Sequence, residues 1–248
     1  YTTGYVPPRG RVDDWGDNYA NRSERYLAAV AFLDGRRPSL VMCRGYYTRT
    51  VLAAFDWDGK QLRHRWVFDT DSTRWASYAG QGNHNLRVAD VDGDGCDEIT
   101  YGSCAIDHDG TGLYNTGMGH GDALHLTAFD PASERLQVWD CHENRRDGTD
   151  FRDAATGKVI FQIPSGKDVG RCMAADIDPT NYGVEMWSSA SGGIRNIKGE
   201  VICDTPKGLP VNMAVWWDGD LLREMLDHET VSKYDWTTQE CRPLARFE

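Results

Sequence analysis

The chain has 248 residues, enough for one large domain with a sizeable core, and it carries a formal net charge of −11. This acidity argues against a nucleic-acid partner, because phosphates require a basic protein surface. Nine Trp, eleven Tyr and 26 Gly residues favour an all-β protein of short strands, glycine turns and aromatic faces. No apolar run approaches the length of a membrane span, so no membrane-spanning segment is expected.

A unit that recurs five times dominates the chain from its N-terminal to its C-terminal part. Each unit consists of a strand of small residues, a turn that contains an aspartate, and a second apolar strand. The units span residues 27–42, 86–101, 124–139, 173–187 and 213–226, around Asp34, Asp92, Asp130, Asp178 and Asp218. Hairpin turns at residues 55–59, 106–110, 155–158 and 195–199 predict two further strands after most units.

Four short strands per unit are the content of one propeller blade. The sequence therefore predicts an all-β propeller with about five blades, either as a closed ring or as an arc of a larger propeller. Residues 217–227 also have the apolar spacing of a turn of helix, but we interpret them mainly as strand.

Seven cysteines are scattered along the chain, without a CxxC pair or the spacing of a zinc site. Their odd number leaves at least one outside any disulfide. Most of them are predicted to be small buried residues within strands, so the cysteines do not indicate a cellular compartment.

The loop of the second unit has the ligand pattern of a calcium site. Asp90, Asp92 and Asp94 alternate along a loop with two glycines, and calcium takes six to eight oxygen ligands. The carbonyl of Cys96 and the carboxylate of Glu98 would complete the shell. The loop is not an EF-hand, because its twelfth position is not an acid and falls in a predicted strand. A solvated acidic turn is the alternative, but such close like charges repel unless a cation is present, so we predict Ca²⁺.

The fourth unit contains a looser version of the same pattern. Asp176, Asp178 and Glu185 are its acids, with Pro, Thr and Asn in the turn. For these residues a metal site and a solvated turn are both compatible with the sequence.

Seven segments resemble the rhamnogalacturonan lyases, in order and with matching spacing from about Asp14 onward. They are residues 14–19 (DWGDNY), 44–47 (RGYY), 80–85 (GQGNHN), 107–110 (DHDG), 119–125 (GHGDALH), 166–171 (GKDVGR) and 216–224 (WWDGDLLRE). The resemblance implies an eight-bladed, calcium-containing propeller. Residues 1–248 would form its central blades, with the flanking blades and an N-terminal β domain outside this chain.

The resemblance also implies an activity. The expected reaction is β-elimination in rhamnogalacturonan I of pectin, which breaks the bond between galacturonate C4 and rhamnose and leaves an unsaturated uronate. A cation on the uronate carboxylate would disperse the charge that develops when a base removes the C5 proton. Because this acidic polysaccharide lies outside cells, we expect a secreted or periplasmic protein, and we expect a monomer. The sequence does not decide between endo and exo action.

Further metal ligands follow from the matching segments. A lone histidine is more often structural, but His84 and His120 lie in segments that are associated with metal in the family. Asp122 would join such a site, together with His125 and Glu143. Calcium prefers oxygen, which makes imidazole a second choice.

The third unit departs from the family pattern. Ala128 and Gln137 stand where acids are usual, so a calcium site there is expected to be weakened or lost, with Asp130 as the surviving acid.

Substrate contacts are predicted in segments between strands, where propellers bind ligands. Arginine and lysine can pair with uronate carboxylates, and tyrosine can stack on a sugar ring; surface charge or an internal salt bridge is the alternative. The predicted residues are Arg44, Tyr46, Lys167, Asp168 and Arg171. His84, Lys167, Arg171 and Tyr46 are chemically eligible as the base, and the sequence does not select one.

Two other functions remain open at the level of the sequence. One is a non-catalytic propeller that binds polysaccharide and uses calcium as a structural staple. The other is an adhesion-type calcium propeller that binds a protein. The segments that match the lyases favour the enzyme.

Overall fold

The computed structural model describes residues 3–248, which divide into two compact units. The first unit comprises the chain up to residue 121 together with residues 154–158, and the second comprises residues 122–153 and 159–248. Residues 3–248 form twenty strands and two short 3₁₀ helices, and they contain no α-helix. Consequently no described helix is long and apolar enough to cross a membrane.

The first unit contains two four-stranded antiparallel sheets, each with its strands in sequential order. The first sheet consists of β1 (Tyr26–Ala31), β2 (Ser39–Arg44), β3 (Val51–Trp57) and β4 (Leu62–Asp69). The second consists of β5 (Arg87–Ala89), β6 (Glu98–Tyr101), β7 (Cys104–Ile106) and β8 (Gly112–Asn115). The 3₁₀ helices Val12–Trp15 and Ala76–Tyr78 precede one sheet each.

The second unit contains three sheets of the same kind, again with the strands in sequential order. The third sheet consists of β9 (Leu124–Thr127), β10 (Gln137–Cys141), β11 (Thr149–Asp153) and β12 (Val159–Ile163). The fourth consists of β13 (Cys172–Ala175), β14 (Glu185–Ser188), β15 (Ile194–Arg195) and β16 (Val201–Cys203). The fifth consists of β17 (Met213–Val215), β18 (Glu224–Asp227), β19 (Thr230–Asp235) and β20 (Glu240–Arg246).

The five predicted units are confirmed as the first two strands of the five sheets, and each predicted hairpin turn joins the third strand to the fourth. The interpretation of residues 217–227 as strand is wrong for residues 217–223, because strand begins only at Glu224. Glu224 Oε2 accepts the amides of Trp217 and Asp218, and Asp220 Oδ1 accepts the amide of Leu222. These bonds hold the segment as a loop.

The inner strands are buried on both faces. Every residue of β6 and β7 is buried, and so are five successive residues of β3. Strands that are covered on both faces carry nearly continuous apolar runs. This explains why the strand sequences are apolar throughout and do not alternate between apolar and polar residues. Five of the seven cysteines are buried and lie in strands, as predicted: Cys43, Cys104, Cys141, Cys172 and Cys203.

Within each unit the aspartate-containing loops of neighbouring sheets touch. In the first unit, Gly35 has a φ of +66°, and a Cβ there would lie 2.4 Å from the carbonyl oxygen of Gly95, so only glycine fits. In the second unit, the amide of Val184 donates to the carbonyl of Phe129 at 3.0 Å. The loops of neighbouring sheets are therefore on the same side within each unit.

Candidate metal and substrate sites

One position is equivalent in all five sheets: the first residue of the second strand. In the first and third sheets the register pairs Ser39 with Asp56 and Gln137 with Asp153 on the third strand. Extending the strand registers of the other sheets by one residue pairs Glu98 with Asp107, Glu185 with Asn196, and Glu224 with Lys233. These two side chains and the preceding loop form what we call the loop site of each sheet.

The loop site of the second sheet gathers the predicted acids. Ligand atoms of Asp90, Asp92 and Asp94 all lie within 4.8 Å of one another. The amides of Gly93 and Gly95 donate to the two oxygens of Asp90 at 2.7 and 3.0 Å, so the backbone fixes that carboxylate. Alternating carboxylates held in this way suit a hard cation with oxygen ligands.

Glu98 is the test of whether a cation fits this loop site. Its Oε2 accepts the amide of Val91 at 2.8 Å, whereas its Oε1 is buried and has no hydrogen-bond partner among residues 3–248. Burial, with the nearby charges of Asp92 and Asp94, raises the pKa of Glu98 to about 7. A buried oxygen without a partner is unfavourable in the absence of a cation or a proton, so the donor set fits calcium.

The sequence missed two residues beside this loop site, Asp107 and His108. His108 Nδ1 lies 2.7 Å from Asp107 Oδ1 and 3.3 Å from Asp94 Oδ2. Both residues were noted only as part of a family segment. The signal that identifies Asp107 is the strand register, which places it opposite Glu98.

The loop site of the fourth sheet repeats this arrangement. Glu185 Oε2 accepts the amides of Ile177 and Asp178 at 2.8 and 3.0 Å, and its Oε1 is buried without a hydrogen-bond partner in the described chain. Burial raises the pKa of Glu185 to about 8, and burial next to Asp178 also raises the pKa of Asp176. The orphaned oxygen makes this loop site fit a cation as well.

The third sheet shows why its loop site is unsuited to a cation. Gln137 Oε1 accepts the amides of Phe129 and Asp130 at 3.0 and 3.3 Å, as the glutamates do. Its second polar atom, however, is an amide nitrogen that donates to Arg135 O at 2.5 Å and Ser133 Oγ at 3.2 Å. A donor at this point supports the prediction that calcium binding is weakened or lost there.

In the first unit, His84 is held between two tyrosines. Its Nδ1 lies 2.7 Å from the Tyr46 hydroxyl and its Nε2 lies 3.0 Å from the Tyr47 hydroxyl. His120 Nδ1 lies 2.5 Å from the carbonyl oxygen of Gly82, and its ring is stacked on that of Tyr46 with centroids 5.2 Å apart. An imidazole between two phenols can accept a proton from one hydroxyl while it donates to the other.

Arg44 does not lie in a segment between strands, where the sequence predicted it. Arg44 is the last residue of β2 rather than part of a connecting segment, and it is only 6% exposed. Its guanidinium donates to Ser23 O at 2.8 Å and to the hydroxyl of Tyr26 at 2.8 Å, and Glu24 lies 3.2 Å away. These internal partners favour the salt-bridge interpretation of Arg44 over contact with substrate.

The remaining predicted residues lie in the second unit. Arg171 is half-exposed, and its Nη1 donates to Asp122 Oδ2 at 2.9 Å, while its Nε donates to Asn212 Oδ1 at 3.1 Å. Lys167 and Asp168 are exposed in the connection between β12 and β13. Of the predicted site residues in this unit, the structure therefore brings Asp122 and Arg171 together.

His125 and Glu143 also belong to the second unit. His125 lies on β9, with its Nε2 3.1 Å from the carbonyl oxygen of Cys172. Glu143 follows β10 and is half-buried.

Comparison with known proteins gives one family. The model described as rhamnogalacturonan lyase family 11, C-terminal domain, matches residues 1–248. The rhamnogalacturonan exolyase YesX of Bacillus subtilis strain 168 is 53% identical over 237 residues, which is 92% of this chain and 39% of the relative. The rhamnogalacturonan endolyase YesW of the same strain is 52% identical over 239 residues, or 95% of this chain and 38% of the relative.

Solved structures agree with the sequence comparison. The crystal structure of YesW has a TM-score of 0.94 at 48% identity, and the PL11 rhamnogalacturonan lyase of Bacillus licheniformis has 0.95 at 52%. Each match covers 99% of this chain and 42% of the other. The chain thus spans about two fifths of the length of these relatives. On this evidence the chain belongs to rhamnogalacturonan lyase family 11.

Proposed function

We propose that this chain is part of a rhamnogalacturonan lyase that cleaves the rhamnose–galacturonate backbone of rhamnogalacturonan I by β-elimination. The observation that carries the proposal is an identity above 50% to lyases of this kind over more than nine tenths of the chain. Because one of these relatives is an exolyase and the other an endolyase, the proposal covers the reaction and leaves the mode of attack open. The substrate is an extracellular polysaccharide, which implies secretion or export to the periplasm.

The architecture proposed for the enzyme is a propeller, with each of the five sheets as one blade. The sequential strand order within every sheet supports it, as does the equivalent register of the five loop sites. Further blades would come from parts of the enzyme outside residues 1–248.

Calcium is the proposed cofactor, held by the loop sites of the second and fourth sheets. The buried, unpartnered Oε1 atoms of Glu98 and Glu185 support these two positions. Bound calcium supplies positive charge that stabilises the acidic loops and, next to a uronate carboxylate, favours removal of the adjacent proton.

The chain's own proton-transfer group is proposed to be Tyr47 together with His84. As the Tyr47 oxygen takes the proton from C5, its phenolic proton passes to His84 Nε2, which lies 3.0 Å away. The electron pair of the C5–H bond forms the C4–C5 double bond, and the C4–O bond breaks with its electron pair on the rhamnose oxygen, which takes a proton from water. The guanidinium of Arg22, 4.0 Å from the centre of the Tyr47 ring, favours negative charge on the phenol. Tyr46 holds the other nitrogen of His84.

In the second unit, Lys167 and Arg171 are proposed to bind uronate carboxylates. Lys167 is exposed, and Arg171 presents a half-exposed guanidinium that Asp122 orients at 2.9 Å. A guanidinium positioned in this way can form charge-assisted hydrogen bonds with a carboxylate.

The test is the initial rate at which unsaturated uronate forms from rhamnogalacturonan I, followed by its ultraviolet absorbance. The 248-residue chain is compared with a form extended to the length of its relatives, each with calcium and with chelator. Calcium-dependent product from either form supports the proposal, and activity in the extended form alone means that the rest of the enzyme completes the site. Folded, calcium-loaded protein that binds the polysaccharide without product would contradict it and favour a non-catalytic binding module.

A further inference from the structure

The loop site of the fifth sheet contains a cation that belongs to the protein. The ammonium group of Lys233, on β19, is bonded to the carboxylates of Asp218 and Asp220 and lies 3.0 Å from Glu224 Oε1. The Lys233 side chain is only 20% exposed, so its contact with the acids is largely shielded from solvent.

The three acids correspond to the acids of the calcium-fitting loop sites. Glu224 Oε2 accepts the amides of Trp217 and Asp218 at 2.9 and 3.4 Å, just as Glu185 Oε2 accepts two loop amides in the fourth sheet. In the fourth sheet the second oxygen of the glutamate has no partner in the described chain. In the fifth sheet the corresponding oxygen likewise has no hydrogen bond in the described chain, but the Lys233 ammonium group forms an ion pair with it at 3.0 Å.

The register explains this difference. The residue opposite the glutamate is Asp107 in the second sheet, Asn196 in the fourth and Lys233 in the fifth. Asp107 offers carboxylate oxygens, which calcium prefers, and Asn196 is uncharged, with its Oδ1 accepting the amides of Lys198 and Glu200 in its own turn. Lysine instead offers only donors and a positive charge. Two positions therefore differ: Lys233 stands opposite the glutamate, and Trp216 stands where the second and fourth sheets have Asp90 and Asp176, so the fifth loop site lacks one of their carboxylates.

We propose that Lys233 replaces the metal ion in the fifth sheet, so that this loop site is stable without calcium, and that removing Lys233 exposes a latent calcium site made by Asp218, Asp220 and Glu224. Without the ammonium group, three carboxylates would converge with no positive charge between them, and an oxygen-binding dication is the ligand that matches them.

The experiment measures calcium stoichiometry by isothermal titration and Tm with calcium or chelator, on the 248-residue chain. Lys233→Asn copies the fourth sheet at this position. It should bind one more calcium ion per chain than the wild type, have a lower Tm in chelator, and regain stability when calcium is added. Lys207→Asn is the matched control, because Lys207 forms an exposed pair with Glu240 at 2.9 Å outside any loop site. It should leave the stoichiometry unchanged.

The reciprocal variant, Asn196→Lys, transfers the internal cation to the fourth sheet. It should bind one calcium ion fewer than the wild type. Its Tm in chelator should rise above that of Asn196→Ala, which loses the same hydrogen bonds from the amides of Lys198 and Glu200. A folded Lys233→Asn protein with wild-type stoichiometry would overturn the proposal. If that variant does not fold, an Asn196→Lys protein with no gain of Tm in chelator over Asn196→Ala would overturn it instead.

Neither readout depends on lyase activity. An inactive chain would contradict the proposed function while leaving this inference intact.

Discussion

At the scale of single residues, the second oxygen of one glutamate distinguishes the loop sites from one another. Glu98 and Glu185 each use Oε2 to fix the loop backbone and leave Oε1 buried without a hydrogen bond in residues 3–248. Gln137 fixes its loop in the same way and fills the second position with a bonded amide nitrogen. This position thus fixes the loop backbone in the second, third, fourth and fifth sheets. Only in the second and fourth does it offer a second oxygen without a hydrogen bond or a paired ammonium group in residues 3–248.

Glu185→Gln should therefore abolish calcium binding in the fourth sheet without loss of the fold. Glutamine keeps the oxygen that accepts the Ile177 and Asp178 amides and, as Gln137 shows, is compatible with this backbone. Isothermal titration should show one calcium ion fewer per chain than in the wild type. The control is Glu229→Gln, which changes an exposed glutamate of the same unit that pairs with Arg246 outside the loop sites. An unchanged count for Glu185→Gln would contradict the site.

Tyr47→Phe should lower kcat by at least about 100-fold with little change in KM, because general acid–base groups contribute factors of this size. Phenylalanine keeps the ring under the Arg22 guanidinium and removes only the hydroxyl that lies 3.0 Å from His84 Nε2. Kinetics on the active form of the enzyme provide the measurement. Tyr19→Phe, at a tyrosine that is 71% exposed, is the control, and full activity of Tyr47→Phe would exclude the proposed proton path.

Glu24 gives a pH dependence that does not involve metal. A hydrogen bond from Tyr26, with further contacts from Arg9 and Arg44, lowers the pKa of Glu24 from 4.5 to about 2. A carboxyl group whose pKa is lower in the folded state than in the unfolded state stabilises the folded protein at pH values above the unfolded-state pKa. This contribution is lost as the pH falls from 4.5 towards 2. Glu24→Gln should thus flatten the decline of Tm over this interval. The effect is moderated by solvent, because the Glu24 side chain is 36% exposed. An identical acid limb in the two proteins would contradict the assignment.

At the scale of secondary-structure elements, the third sheet has a buried ionic network between β10 and β11. Arg152 Nη2 lies 3.2 Å from Asp140 Oδ2, Arg152 Nη1 lies 2.7 Å from Asp150 Oδ1, and His142 Nε2 lies 2.8 Å from the same oxygen. All four side chains are fully buried. Neighbouring charges lower the pKa of Asp150 despite its burial, so this carboxylate is held charged by the cations beside it.

Arg152→Met should destabilise the chain by about 3–5 kcal/mol, because it leaves buried carboxylates without their cation. Urea unfolding monitored by tryptophan fluorescence measures the loss. Arg135→Met is the comparison within the same sheet, since Arg135 forms an exposed pair with Asp153 at 3.3 Å and should change stability by less than about 1 kcal/mol. Equal effects of the two substitutions would show that the buried network contributes no special stability.

The elements also show what the sequence can and cannot predict. The first hairpin of each sheet was predicted correctly, because a turn with aspartate between two apolar strands is a local pattern. The hairpin of β19 and β20 was not predicted; its turn includes Gln239 at a φ of +58°, which no glycine marks. The residues opposite the glutamates were missed as well, because Asp107, Asn196 and Lys233 reach these positions only through strand register. Register depends on the length and bulges of the intervening turn, and composition does not reveal it.

At the scale of the whole molecule, calcium should stabilise particular parts of the chain and leave others unchanged. One fitting loop site lies in each compact unit, in the second and fourth sheets. Ligand binding to the folded state alone contributes RT ln(1 + [L]/Kd), which is about 2.7 kcal/mol when calcium is present at 100 times Kd. Both units should therefore gain stability from calcium, although the proposed calcium sites lie in only two of the five sheets.

Hydrogen–deuterium exchange with and without chelator can map this pattern along the chain. Chelator should accelerate amide exchange by up to about 100-fold in residues 90–98 and 176–185, where loop amides donate to the carboxylates that would hold the ion. Residues 128–137 and 218–222 should be unaffected, because Gln137 and Lys233 fill the equivalent positions with nitrogen donors. A chelator response in residues 218–222 would contradict the role of Lys233, and one in residues 128–137 would contradict that of Gln137. The two loops without a response are internal controls in the same molecule, so the experiment separates local calcium binding from a general change in stability.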